Sequence, residues 1–227
     1  MNNIRLISYP KSGQHLLVQC LLRYFSRDLN YPFENRRKDE GSILIAGQMG
    51  YCEKGLHCNE VPCREPAVNF QAMHDCHKLW YNEPSVNHII LYRNPIYIML
   101  SLCNYEKNGI VSLNNYLRYF IGYLNEWKEW IHKWAIKGGD VNAHQLAYED
   151  FLNEPLDTLY FLIKFIDCDN DIDREHLIKV IQSMDICQKH KLIDFHYYEH
   201  LKEQMKQLED LIASELETLN IPKVEWI

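Results

Sequence analysis

A chain of 227 residues that is 47% hydrophobic and 24% charged has the balance of a folded globular protein, and it is long enough to bury a core without disulfide or metal staples. Its 31 acidic against 24 basic residues give a formal charge of -7, which repels a long polyanion, so nucleic acid is not an expected partner, although one local cationic pocket stays open. The longest uncharged apolar run, Pro95 to Tyr105, is too short to span a bilayer, and no cationic flank with a long apolar stretch opens the chain; no membrane span or signal peptide is expected, and a cytoplasmic location is.

Ile4 to Ser8 is a short apolar run, and Tyr9-Pro10-Lys11-Ser12-Gly13 then breaks it, so a buried strand followed by a turn is predicted. Leu16, Leu17, Cys20, Leu21, Tyr24 and Phe25 recur at three and four residues, which predicts a helix over His15 to Arg27. Residues 28 to 69 are rich in glycine and proline and read as a loop-rich insertion in a single domain spanning 1–227, with a short strand at Ser42 to Ala46. Asn69 to His74 and His88 to Tyr92 are strands, the second almost purely apolar and therefore central. Asn94-Pro95 supplies a cap and a first-turn proline for a helix reaching about Asn104. The stripe Leu113, Leu117, Phe120, Leu124, Trp127, Ile131 and Trp134 predicts a long core-facing helix ended by Gly138-Gly139, and His144 to Tyr148 is a further strand. Helices are expected over Pro155 to Asp167 and Asp173 to Gln182, and one more carries Leu201, Met205, Leu208, Ile212, Leu216 and Leu219 on one face.

Strands alternating with helices predict an α/β fold, a central parallel sheet flanked by helices, with ligands at the C-terminal strand ends. The eight cysteines read as free thiols. Cys52, His57, Cys58, Cys63, His74, Cys76 and His77 cluster in sequence as zinc ligands do, but no Cys-x-x-Cys pair is present, and no metal is assigned.

The turn after the first strand has the elements of an anion site: backbone N–H groups around Gly13, the positive end of the following helix, the charge of Lys11, and donors on Ser12, Gln14 and His15. Its lysine precedes the glycine, unlike the common triphosphate loop. Arg93 follows a strand, and Ser101 lies about 9 Å along the helix begun by Pro95, close enough for both to share one phosphate.

Tyr9-Pro10-Lys11-Ser12-Gly13, Tyr92-Arg93-Asn94-Pro95 with Ser101, and Tyr148-Glu149-Asp150 before an Asn-Glu-Pro helix start resemble, in order and spacing, the cytosolic-type sulfotransferases. The resemblance runs from the first strand to the Phe161–Ile166 segment. It implies a P-loop nucleotide-kinase-like architecture and transfer of a sulfuryl group from 3′-phosphoadenosine 5′-phosphosulfate to a hydroxyl by in-line displacement, with no metal required. By the same resemblance Lys11 acts on the leaving phosphate, Ser12, Gly13, Gln14 and His15 hold the 5′-phosphosulfate, Arg93 and Ser101 bind the 3′-phosphate, Tyr148 lies near the adenine, and His74 is the general base. Neutral histidine suits that role near neutral pH.

The sequence departs from the family at Ala72, where relatives carry lysine, at Gln14 and His15, which replace threonines, and at Leu16, which replaces an adenine-stacking tryptophan. Of the family's C-terminal nucleotide segment only Lys189 and Asp194 remain, and Lys189 is carried as a nucleotide contact. The acceptor is a small molecule, a lipid or a carbohydrate, its identity lying in loops such as 28–69 and 106–112. A nucleotide or small-molecule kinase and a non-catalytic nucleotide-binding or zinc-stabilised module are the alternatives.

Overall fold

A computed structural model of the chain describes residues 3–31, 43–52, 63–74, 86–105, 113–137, 142–186 and 202–223. The first strand, β1 (Asn3–Ser8), is buried along nearly its whole length and lies in the middle of a six-stranded sheet. It pairs in parallel with β4 (Phe70–Met73) on one side and β5 (Val86–Tyr92) on the other. Beyond β5 lies β6 (Ala143–Ala147), also parallel, and beyond β4 lies β3 (Met49–Cys52). Strands covered on both faces read as near-continuous apolar runs, which is why IILY at the end of β5 is legible as central and LIS at the end of β1 as buried.

The expected central parallel sheet carries one antiparallel strand at its edge. Strand β2 (Ile43–Ala46) runs antiparallel to β3, joined to it through Gly47 and Gln48, so the segment 28–69 contributes a hairpin to the sheet. The turn has no room for a side chain at Gly47, where a Cβ would lie 2.3 Å from the Phe25 carbonyl oxygen, and its φ of 56° favours glycine.

Helices cover both faces. Ile4 and Leu6 of β1 pack toward α1 (Gln14–Ser26), α4 (Tyr148–Asn153), α5 (Pro155–Ile166) and α6 (Arg174–Met184). Ile7 of β1 and Ile90 of β5 pack toward α2 (Pro95–Tyr105), α3 (Leu113–Ile131), α7 (Lys202–Leu211) and α8 (Ala213–Thr218). Of the expected stripe, Leu124, Trp127, Ile131 and Trp134 are buried, and Trp130, which the stripe did not include, is buried beside them. The α3 helix continues as a π-helical turn over His132–Ile136, and Gln145 Nε2 donates to the carbonyl oxygen of Ala135 at 2.8 Å. The expected single C-terminal helix is two, broken at Ile212, which has φ -111° and ψ 9° and a buried side chain. Tyr148 opens α4 and does not end the strand before it. The Gly138-Gly139 stop lies outside the described residues. Among the described residues no helix is long and apolar enough to cross a membrane.

Candidate active site

Because β1 is central, the loop leaving its C-terminal end is flanked by the ends of β4 and β5, and the residues singled out in sequence meet there. The loop starts at Tyr9, whose ring packs edge-on against Trp130 at 6.0 Å and whose hydroxyl donates to the Tyr123 carbonyl oxygen at 3.3 Å. Ser12 N–H returns to the Tyr9 carbonyl oxygen at 3.1 Å, closing the turn. Lys11 at φ 66° and Gly13 at φ 90° are left-handed on either side of Ser12, and such reversals point successive N–H groups into one concavity. Gly13 is required twice over: a Cβ there would lie 2.0 Å from Cε2 of Tyr148. The Ser12 side chain is fully buried, and its Oγ has no hydrogen-bond partner among the described residues.

His74, immediately past β4, stands on one side of this loop. Its Nδ1 is 2.8 Å from the Ser8 carbonyl oxygen, which accepts, and 3.1 Å from Ser8 Oγ. Burial lowers the His74 pKa, the Ser8 carbonyl opposes that by stabilising the protonated ring, and the charges of His15 and Lys11 lower it further. The ring is therefore neutral at pH 7, with a pKa below the ordinary histidine value of about 6.5. Gln14 is turned inward: its Oε1 accepts from Ser8 Oγ at 2.5 Å, so its side-chain carbonyl is engaged beneath the loop. His15 is exposed on the first turn of α1.

Arg93, immediately past β5, stands on the other side. Its Nη1 donates to the Lys11 carbonyl oxygen at 3.0 Å. The guanidinium carbon lies 4.5 Å from the Tyr148 ring centroid and 5.7 Å from that of Tyr97, so the cation rests against two aromatic rings, and burial draws its pKa down. Its Nε is buried without a hydrogen-bond partner among the described residues. The backbone behind it is held by Trp127 Nε1, which donates to the Arg93 carbonyl oxygen at 3.2 Å, and by Glu149, whose Oε1 accepts from Asn94 N–H at 3.0 Å. Burial raises the pKa of Glu149 and also that of Tyr148. The expected cap is present, Asn94 Oδ1 accepting from Ile96 N–H at 3.0 Å, and Ser101 is half-buried on α2, about 9 Å from its start.

Lys189 and His77 lie outside the described residues, as do His57, Cys58 and Cys76 of the cysteine-histidine cluster. Cys52 is buried and Cys63 half-buried, and no group of three metal-ligating side chains occurs among the described residues. Sequence reading gave no role to Ser8, Tyr97 or Glu149. Ser8 carried a usable signal, a hydroxyl residue following Leu6 and Ile7 at the end of the strand directly before the glycine loop.

No family model matches this sequence, and no curated protein does. Among solved structures the chain is similar to mouse sulfotransferase SULT7A1 complexed with PAP, with 15% identity and a TM-score of 0.57, over 95% of this chain and 84% of that one. The fold is the sulfotransferase α/β fold. The motif resemblance and the likeness in fold thus agree on the architecture, reached from different observations. In this sulfotransferase fold the β1 loop, His74 and Arg93 occupy the C-terminal strand ends, where open α/β sheets bind ligands.

Proposed function

We propose that the protein is a sulfotransferase that moves a sulfuryl group from 3′-phosphoadenosine 5′-phosphosulfate to a hydroxyl acceptor. The observation carrying this reading is the enclosure of one loop, with its buried Ser12 hydroxyl unpartnered among the described residues, between a neutral histidine and a half-buried arginine. An orphaned hydroxyl and N–H groups around two left-handed residues fit a bound phosphosulfate, whose chemistry is that of an activated sulfuryl group on a phosphate leaving group. The likeness to a solved sulfotransferase complexed with PAP supports the choice of nucleotide.

In this scheme Lys11 and the N–H groups at the start of α1 hold the 5′-phosphosulfate, while Arg93 and Ser101 hold the 3′-phosphate. His74 Nε2 accepts the proton of the acceptor hydroxyl as that oxygen bonds to sulfur. The sulfur–oxygen bond to the phosphate breaks, and its electron pair stays on 3′-phosphoadenosine 5′-phosphate, where Lys11 and the helix end stabilise the added charge. Tyr148 flanks the Arg93 guanidinium and lines the nucleotide side of the loop. The acceptor is a hydroxylated small molecule, lipid or carbohydrate.

Calorimetry with 3′-phosphoadenosine 5′-phosphate, AMP, ADP and magnesium-ATP tests the reading. Preference for the bisphosphate without magnesium is the expected result, and magnesium-dependent preference for ATP overturns it in favour of a kinase.

A further inference from the structure

Ser8 ends β1 with its side chain fully buried, and its two oxygens meet residues of two other segments. Its Oγ lies 2.5 Å from Gln14 Oε1, an oxygen that can only accept, so the hydroxyl proton is directed there. That same Oγ is 3.1 Å from His74 Nδ1, and the Ser8 carbonyl oxygen is 2.8 Å from it. With its proton turned to Gln14, the hydroxyl offers the imidazole only lone pairs, as the carbonyl does. Both contacts are satisfied when Nδ1 carries the hydrogen, and a neutral ring then has its lone pair on Nε2.

We propose that Gln14 is a positioning residue that sets the tautomer of His74 through the Ser8 hydroxyl. The inference rests on the reading of His74 as the proton acceptor, and it explains what a buried glutamine does at the first position of α1. Remove the Gln14 acceptor, and the Ser8 hydroxyl has His74 Nδ1 as its remaining partner among the described residues. Its proton then turns to the ring, which favours hydrogen on Nε2 and places it where the lone pair is needed. The start of α1 and the end of β4 are in this way joined through one hydroxyl group: the helix that opens the phosphate loop also decides which nitrogen of the base is free.

Long-range proton–nitrogen correlation spectra of the isotope-labelled full chain read the tautomer directly, with His74→Ala identifying the resonances. In the wild type Nδ1 is expected to be the protonated nitrogen. Gln14→Met should shift the population toward protonated Nε2 and slow sulfuryl transfer about tenfold, the scale of one hydrogen bond. Gln14→Glu keeps an acceptor oxygen and should retain the wild-type tautomer. Ser8→Ala combined with Gln14→Met removes the competing hydroxyl, leaves the carbonyl as the partner of Nδ1, and should restore it, a rescue that a purely structural role for Gln14 does not produce. Protonated Nε2 in the wild type, or an unchanged tautomer in Gln14→Met, overturns the proposal. Should Gln14→Met fail to fold, Gln14→Ala decides: it must move hydrogen toward Nε2, and an unchanged tautomer there overturns the proposal. The spectra require no nucleotide, so a failure of the calorimetric test strikes the proposed function and leaves the tautomer assignment to stand or fall by itself.

Discussion

Arg93 and Lys11, 82 residues apart in sequence, are joined by a 3.0 Å hydrogen bond from the arginine Nη1 to the lysine carbonyl oxygen. The bond ties the end of β5 to the middle of the β1 loop and leaves the guanidinium against the rings of Tyr148 and Tyr97. Arg93→Lys keeps a charge but loses the planar fork and the aromatic contacts. It should weaken binding of 3′-phosphoadenosine 5′-phosphate by roughly 1.5–3 kcal/mol while changing AMP affinity far less. Calorimetry with both nucleotides is the measurement, and equal losses for the two would remove Arg93 from the 3′-phosphate.

Lys11 is assigned to the leaving group, so its effect should fall on turnover. Lys11→Ala is expected to lower kcat by more than it raises the Kd of the product nucleotide. Single-turnover transfer together with a binding isotherm separates the two, and an unimpaired rate would end the assignment.

A proton acceptor must be neutral to work. The His74 pKa is lowered chiefly by burial, with His15 and Lys11 adding to it against the Ser8 carbonyl. The acidic limb of kcat/KM should accordingly lie below the ordinary histidine pKa of about 6.5, with activity lost as pH falls through that limb and kept above it. His15→Ala removes one of the two nearby cationic groups and should move the limb upward. A limb that ignores both His15→Ala and His74→Ala would show that another group titrates.

Much of this arrangement was legible in the sequence, and the parts that were not share a cause. The run at His88 to Tyr92 marks a central strand and that at Ile4 to Ser8 a buried one, because strands covered on both faces need mostly apolar residues. Asn94-Pro95 gave the start of α2 because cap and proline act locally. The β2–β3 hairpin was half seen: Ile43–Ala46 shows a strand pattern, whereas Met49–Cys52 contains Gly50, which is there to admit the Ala67 carbonyl oxygen, 1.6 Å from where a Cβ would stand. Nothing local records that neighbour. Ser8, Glu149 and Tyr97 were missed in the same way, since their partners His74, Asn94 and Arg93 come from other strand ends or, for Tyr97, from across a helix start.

Gly13 offers a test that needs no nucleotide. Its φ of 90° and the Tyr148 ring 2.0 Å from a would-be Cβ both oppose a side chain. Gly13→Ala should cost on the order of 1–3 kcal/mol in denaturant unfolding, the scale of backbone strain, with the steric contact added. In a Tyr148→Ala background the penalty should shrink to the backbone part. Additive costs would mean that the ring moves aside freely.

His88 is expected to make the fold acid-sensitive. It is 1% exposed, its ring lies 6.3 Å from that of Trp134 in a stacked arrangement, its Nδ1 has no hydrogen-bond partner among the described residues, and burial followed by the charge of Arg5 lowers its pKa to about 4. Between about pH 4 and about 6.5 the unfolded chain binds the proton that the folded chain refuses, so stability rises with pH across that window and its gain is complete above it. The contribution is on the order of 3 kcal/mol. His88→Phe should flatten the urea-derived stability profile over this range; a profile as steep as the wild type's would place the sensitivity elsewhere.

The central position of β1 has a kinetic consequence. His74 reaches Ser8 across 66 residues of chain and Arg93 reaches Lys11 across 82, and both approaches depend on parallel strand pairing. No hairpin or single helix can bring either pair together beforehand. Parallel pairings of this span form slowly, because the entropy of closing the intervening chain must be lost before any contact compensates it. During refolding, the β1 loop therefore exists as a glycine turn on a helix well before it has a histidine on one side and an arginine on the other. Recovery of nucleotide binding should lag recovery of helical signal, with the site maturing as the last registers of the sheet lock.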